Sequence, residues 1–228
     1  MPSLRFSQVR LNLYLLLDIN IAQLFLAFVV LLFSLTVHES AHAWTADRLG
    51  DPTARLLGRV SLNPIVHADL FGTVIFPIVA MVSGVPLIGW AKPVPVNRRR
   101  LGHPRRDYVL VAAAGPTSNL LLAFAAATVL ALMPISPVRI GEGNVTAPVA
   151  SLLSRAVQLN VLLAIFNMIP IPPLDGGNVL GGLLPRPMAA LFDRLRPYGF
   201  VLLYALMLSG AFDYLIVPPY NLVRSWLP

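Results

Sequence analysis

Apolar and polar positions in this chain segregate on a coarse scale: long uncharged runs are separated by short stretches where charge, proline and glycine collect. Three runs, residues 19–37, 108–138 and 156–174, approach or exceed the roughly 20 residues a helix needs to cross a bilayer. A fourth candidate covers 197–212 and continues past Asp213, and a fifth uncharged run covers 70–91. The first helix is predicted over about 19–49, stopped by Gly50-Asp51-Pro52. Residues 51–64 mix Pro, Gly, Asn and Arg and read as irregular. In 90–97, Pro93 and Pro95 forbid helix and favour an extended edge. Pro170, Pro172 and Pro173 break the third run just before Asp175-Gly176-Gly177, so irregular backbone is predicted at membrane depth beside an acid.

Composition turns these runs into membrane spans. The chain is 57% hydrophobic and 12% charged, where a soluble domain carries roughly 25% charged residues. Arg5 and Arg10 precede an apolar stretch, but Asp18 and Asn20 interrupt it and no small-residue cleavage site follows, so it is expected to be retained. The net charge of +7 does not indicate nucleic acid: six of the seventeen Lys and Arg lie in residues 92–106, between apolar runs, as in a cytoplasmic membrane loop. With no cysteine, thiolate ligands are excluded and a metal must use His and carboxylate. No repeat is visible and the linkers are short, so residues 1–228 are read as one domain.

At the end of the first run stands His38-Glu39-Ser40-Ala41-His42, the His-Glu-x-x-His pattern. Residues i and i+4 share a helix face, so both imidazoles can reach one tetrahedral ion while Glu39 reaches a water on it. Among four His and two Glu, a chance occurrence is on the order of one in a thousand. Glu39 also adjoins a long apolar run, where an ionisable group is costly and suggests function. A catalytic zinc needs a third protein ligand. Asp175, at the end of a long apolar span in a Pro- and Gly-rich break, is the best placed; Asp107, Glu142 and Asp193 fall in charged loops and read as solvated.

Topology constrains the choice further. His38, His42 and Asp175 lie near the exit ends of their spans and must share one side, so either 70–91 or 108–138 does not cross. Pro77, Gly84 and Pro86 interrupt 70–91, making it the re-entrant candidate. With the N-terminus outside, twelve Lys and Arg then lie on the active-site side against four (Arg5, Arg10, Arg139 and Arg224) on the other, which orients the site toward the cytoplasm of a cell membrane.

These motifs together resemble the site-two protease family of intramembrane zinc metalloproteases, and most closely its compact bacterial and archaeal members without extra domains. The resemblance covers nearly the whole chain. Residues 38–42 look like the family's zinc motif, Asn167-Met168-Ile169-Pro170-Ile171-Pro172-Pro173-Leu174-Asp175-Gly176-Gly177 like its second motif, ending in the aspartate ligand, and Gly115-Pro116-Thr117-Ser118-Asn119 like a third signature between them. The resemblance implies one Zn2+ per chain, cleavage of transmembrane protein substrates in the lipid bilayer, and an extended segment that presents unwound substrate. Residues 90–97 fit that segment by strand addition, or serve only as a rigid connector.

Three polar residues remain. Asn119 and Asn167 sit in apolar runs and need partners. They either contact substrate or the oxyanion, the favoured reading, or satisfy broken backbone near Pro116 and Pro170. His67, close to Asp69, is a candidate support behind the metal or a proton donor, or forms a solvated interfacial pair with Asp69. His103 reads as solvated. The expected fold is an all-α polytopic membrane protein with four full spans and one re-entrant segment. The expected chemistry is peptide hydrolysis with Glu39 activating water. A zinc-binding membrane protein without hydrolysis, such as a transporter or inactive scaffold, is the rival class.

Overall fold

A computed structural model describes residues 21–83, 89–133 and 146–228. Readings that fall on Arg5, Arg10, Asp18, Asn20, Gly84, Pro86, Arg139 and Glu142 lie outside the described residues.

Helix α1 covers Ile21–Arg48 without an internal Pro or Gly. At 1.5 Å per residue its 28 residues reach about 42 Å, more than the roughly 30 Å hydrocarbon core. It stops at Gly50, whose φ of 105° a side-chain-bearing residue adopts only under strain. Two short helices, α2 (Thr53–Leu56) and α3 (Pro64–His67), follow. The Asp69 carboxylate then accepts from the N–H groups of Phe71 and Gly72, at 3.0 and 2.8 Å, and so starts a wide π-type turn, Leu70–Ile75, that runs into α4 (Phe76–Ser83).

This apolar run comes back on itself. The Trp90 N–H donates to the Gly72 carbonyl at 3.1 Å, and the Thr73 hydroxyl donates to the Trp90 carbonyl at 2.9 Å. Two ends that meet within a hydrogen bond cannot lie on opposite faces of a bilayer, so Gly72 and Trp90 belong to one side of it, in keeping with the expectation that this run does not cross.

Residues 90–97 then run extended to a short 3-10 turn, Arg98–Arg100, and into α5 (Pro104–Leu132). Helix α6 (Thr146–Asn167) is followed by the proline-rich break, α7 (Asp175–Leu183), α8 (Arg186–Asp193), α9 (Gly199–Leu208) and α10 (Ala211–Trp226). Among the described residues there is no strand, and 90–97 has no ladder partner.

Three stretches, Phe25–Arg48, Pro104–Leu132 and Pro148–Asn167, are long and apolar enough to cross a membrane. The fourth candidate is a pair, Arg196–Leu208 and Ala211–Trp226, bent by 83° where Gly210 takes a left-handed conformation. The apolar helix does continue past Asp213, as α10, but turned through this angle. Pairing this bent unit as one crossing gives up to four spans.

Helix α5 is the centre of the assembly and packs against α1, α6 and α7. Its Ala123, Ala126 and Ala127 meet Val157 and Val161 of α6 in a buried cluster. Small residues allow backbones to approach closely where lipid offers no hydrophobic drive for association. The outer faces remain apolar, with Phe25, Phe33, Leu121 and Phe124 exposed. One expectation fails at the start of α5: Asp107 is buried rather than solvated, because its carboxylate accepts from the His103 N–H at 2.6 Å in the helix's first turn. His103 is exposed, as read, and Asp193 pairs with Arg196 at 2.7 Å.

Candidate metal centre

His38 and His42 project from one face of α1 with ring centroids 4.6 Å apart and planes at 85°. Their Nε2 atoms are 3.0 Å apart, and Asp175 Oδ2 lies 3.1 Å from the first and 3.3 Å from the second. Among the described residues this is the one cluster of at least three His or carboxylate groups able to hold a metal ion.

The donor chemistry calls for a cation at the centre of this triangle. His38 Nδ1 donates to Asn119 Oδ1 at 2.6 Å, and His42 Nδ1 donates to the Val111 carbonyl at 2.6 Å. With each Nδ1 committed to an oxygen acceptor, each ring turns its Nε2 inward. The third corner, Asp175 Oδ2, is buried with no hydrogen-bond donor. Two ring nitrogens and a carboxylate oxygen thus converge on one point, the donor set a divalent cation takes. Bonds of about 2.0–2.1 Å in a tetrahedron place ligand atoms about 3.3 Å apart, close to the observed edges.

Local sequence explains how three helices reach one point. Helix α5 passes close against the Nε2 edge of both imidazoles because position 115 is glycine: a Cβ there would collide with both rings. One turn to either side, Val111 supplies the carbonyl for His42 and Asn119 the amide for His38. Asp175 opens α7, whose start nests against the preceding break. A Cβ on Gly176 would strike the Met168 and Ile169 carbonyls, and one on Gly177 the backbone of Ile171 and Pro172.

Glu39 stands at the rim of the triangle and lines a cleft of about 550 Å³ with Trp90, Val94, Phe166, Asn167 and Asp175. Its Oε2 accepts from the Val94 N–H at 3.1 Å. The extended strap 90–97 thus roofs the cleft, and side chains hold it there. Arg59, buried, donates from one guanidinium nitrogen to the Lys92 and Pro93 carbonyls, both at 3.2 Å. The Lys92 N–H donates to the His67 carbonyl at 2.9 Å, and the Asn97 N–H to Asp51 Oδ2 at 2.6 Å.

The other sequence candidates divide. Asn167 lines the cleft and donates one amide N–H to the Leu163 carbonyl at 2.9 Å, which leaves a second. Asn119 does not face the cleft. It is 0% exposed, its oxygen is taken by His38, and its nitrogen faces Asn160 Oδ1 at 2.8 Å and the Ser34 carbonyl at 3.4 Å. Expected at substrate or oxyanion, it sits behind the metal triangle instead, because the helix register that aims Gly115 at the rings buries residue 119. His67 is buried too, not a solvated interfacial group. Its Nε2 donates to the Ser61 carbonyl at 2.8 Å and lies 3.3 Å from Ser40 Oγ, which itself donates to the Ser61 carbonyl. It braces the side of α1 away from the triangle, and Asp69, occupied with Phe71 and Gly72, does not pair with it.

Sequence reading missed Ser34, Asn160 and the Val111 carbonyl. Asn160 carried a usable signal, an amide in an apolar run two helical turns before Asn167. The carbonyl carried none.

Apolar helices of bilayer length that enclose a His-His-Asp triangle, with a glutamate beside the first histidine, define a membrane metalloprotease. Comparison with known proteins agrees: residues 26–209 match the model of peptidase family M50. The protein named Putative zinc metalloprotease YwhC, from Bacillus subtilis, is 39% identical over 197 residues, 86% of each chain. Two proteins named Putative zinc metalloprotease Rip2 are more distant. That of Mycolicibacterium smegmatis is 28% identical over 80% of this chain, and that of Mycobacterium tuberculosis 36% identical over 73%. This chain spans 66% and 56% of their respective lengths. No solved structure matches. The chain belongs to peptidase family M50, the site-2 protease family, and the metal implied is zinc.

Proposed function

We propose that the chain is an intramembrane endopeptidase of site-two type, hydrolysing peptide bonds within or near transmembrane segments of membrane-protein substrates. His38, His42 and Asp175 hold the zinc and Glu39 is the general base. The observation that carries this reading is the triangle itself, with two histidines oriented by hydrogen bonds from behind, an aspartate oxygen without a donor, and Glu39 open to the cleft.

Depth supports the intramembrane part. Trp44 is exposed and Arg48 lies 5.1 Å over its ring, the pairing expected at a membrane–water interface. His38 precedes Trp44 by six residues of α1, about 9 Å further into the apolar stretch. The charge asymmetry of the sequence orients this end of α1 to the cytoplasm, in a cell membrane.

When bound, zinc supplies Lewis-acid activation of a water and of the scissile carbonyl. Glu39 takes the water's proton at a carboxylate oxygen and passes it to the departing amine. Asn167 turns its remaining amide N–H to the substrate backbone or to the carbonyl oxygen as it gains charge. Leu35, Trp90, Phe166 and Phe200 give the cleft apolar walls. On the strap, the N–H and carbonyl of Trp90 and Lys92 are already bonded within the protein, and Pro93 and Pro95 offer no N–H on the opposite edge. The Val94 carbonyl and the Val96 N–H are what a substrate strand can pair with, next to Glu39.

The test is cleavage of a panel of tagged single-span membrane proteins in reconstituted vesicles, by wild type, Glu39→Gln and chelator-treated protein. Cleavage within a span that vanishes in both controls supports the proposal. Bound zinc with no cleavage of any member would point instead to a non-hydrolytic zinc protein.

A further inference from the structure

We infer that Asn160 is a positioning residue for the metal centre: by fixing the direction of the Asn119 amide, it sets the tautomer in which His38 meets the metal. The inference rests on His38 being a zinc ligand, as proposed above.

The observation is a closed ring of buried polar groups that links the three bilayer-length helices. Ser34 and His38 are one turn apart on α1, Asn119 is on α5 and Asn160 on α6. Asn160 Nδ2 lies 2.8 Å from the Ala156 carbonyl and 2.9 Å from Ser34 Oγ; Asn160 Oδ1 is 2.8 Å from Asn119 Nδ2; Asn119 Oδ1 is 2.6 Å from His38 Nδ1. Ser34 and Asn119 are 0% exposed and Asn160 is 2% exposed, so water cannot substitute for any of these partners.

Direction matters because an asparagine amide can present either of its ends. On its own, Asn119 could offer His38 an oxygen or an NH2 group, and the NH2 would force the proton onto Nε2, where the metal belongs. The Ser34 carbonyl favours the correct direction only at 3.4 Å. The Ala156 carbonyl, which like any carbonyl can only accept, lies much closer to its amide, at 2.8 Å from Asn160 Nδ2. Asn160 must therefore aim its NH2 at Ala156 and its oxygen at Asn119. Asn119 in turn must aim its NH2 at Asn160 and its oxygen at His38. His38 then carries its proton on Nδ1, and Nε2 is left bare toward His42 and Asp175. An obligatory acceptor one turn back on α6 thus fixes the tautomer of a residue on α1, through a chain of single-valued choices.

Two substitutions separate this role from packing. Asn160→Leu keeps the volume and suits an apolar interior, but removes the acceptor for Asn119. Asn160→Asp, which takes up a proton at this buried position, keeps an oxygen toward Asn119 and an O–H for the Ala156 carbonyl, and the Ser34 hydroxyl can turn to donate to it. Packing alone would favour Leu over Asp; the positioning role reverses the order. Zinc affinity of the purified full chain is measured by competition with a chromophoric chelator, with helix content checked by circular dichroism and His38→Ala as the ligand control. Asn160→Leu is expected to weaken zinc binding by about 10–100-fold, the usual cost of losing a group that orients a ligand. Asn160→Asp is expected to stay within a few-fold of wild type. If Asn160→Leu binds zinc as wild type does while His38→Ala has lost it, the inference fails and the site stands. If His38→Ala retains wild-type affinity, the site reading fails instead.

Discussion

The Val94 N–H donates to Glu39 Oε2 at 3.1 Å, so the strap that roofs the cleft is tied to the general base proposed for the reaction. Glu39→Gln retains an oxygen for this bond and should leave the fold and zinc content unchanged. The proton-transfer role is lost, and the rate of cleavage should fall by about 10²–10⁴-fold. Parallel measurement of metal content and turnover checks this. Retained activity in Glu39→Gln would remove Glu39 from the mechanism.

Gly115→Ala should cost the metal rather than the fold. The added methyl points at both imidazoles, which would have to move apart or turn. Zinc affinity is expected to fall at least tenfold, a lower bound in line with other changes that disturb ligand orientation, while helix content stays the same. Equilibrium dialysis of the purified variant measures the first, and circular dichroism the second.

Zinc should stabilise the protein through its ligands alone. At a free zinc concentration one hundred times Kd, binding contributes about 2.7 kcal/mol to folding. The melting temperature of wild type should therefore rise with zinc, and that of Asp175→Ala should rise much less. An equal rise in both would place the metal elsewhere.

Val96→Pro removes a strap N–H that has no partner among the described residues, and its ring still offers apolar surface to the Ala46, Leu101 and Val111 cluster on which Val96 packs. Under strand addition, KM should rise by about tenfold, the loss of one hydrogen bond of roughly 1.4 kcal/mol, with kcat and zinc content nearly unchanged. If the strap is only a connector, KM will not move.

Arg59→Met should loosen the strap without touching the metal. Each bond from a charged donor contributes about 1.5–3 kcal/mol, and Arg59 makes two such bonds, to the Lys92 and Pro93 carbonyls. Faster hydrogen exchange at Lys92 and Val94, with unchanged zinc stoichiometry, is the expected result. Unchanged exchange would show that Asp51 and Thr73 suffice to hold the segment.

The sequence by itself determined what depends on local period and on charge. Three bilayer-length helices follow from uncharged runs, the expectation that 70–91 does not cross from its prolines and the need to keep His38 and Asp175 on one side, and the histidine pair from i, i+4 spacing. Membership of the site-2 protease family was also legible, from residues 38–42, 115–119 and 167–177. Tertiary structure decided what depends on which polar group finds which partner. Asn119 and Asn167 look alike in sequence, each an amide in an apolar run, yet one is spent behind His38 and the other faces the cleft. Asp107 reads as a loop acid, yet a backbone N–H four residues back captures and buries it. The bend of 83° at Gly210 and the path of the strap across Glu39 are equally beyond periodicity. The reason is common to all of them. A hydrophobic run fixes that a helix must hide its backbone in the membrane, but its rotation about its own axis is set by contacts with helices distant in sequence, and rotation decides which side chain meets the metal.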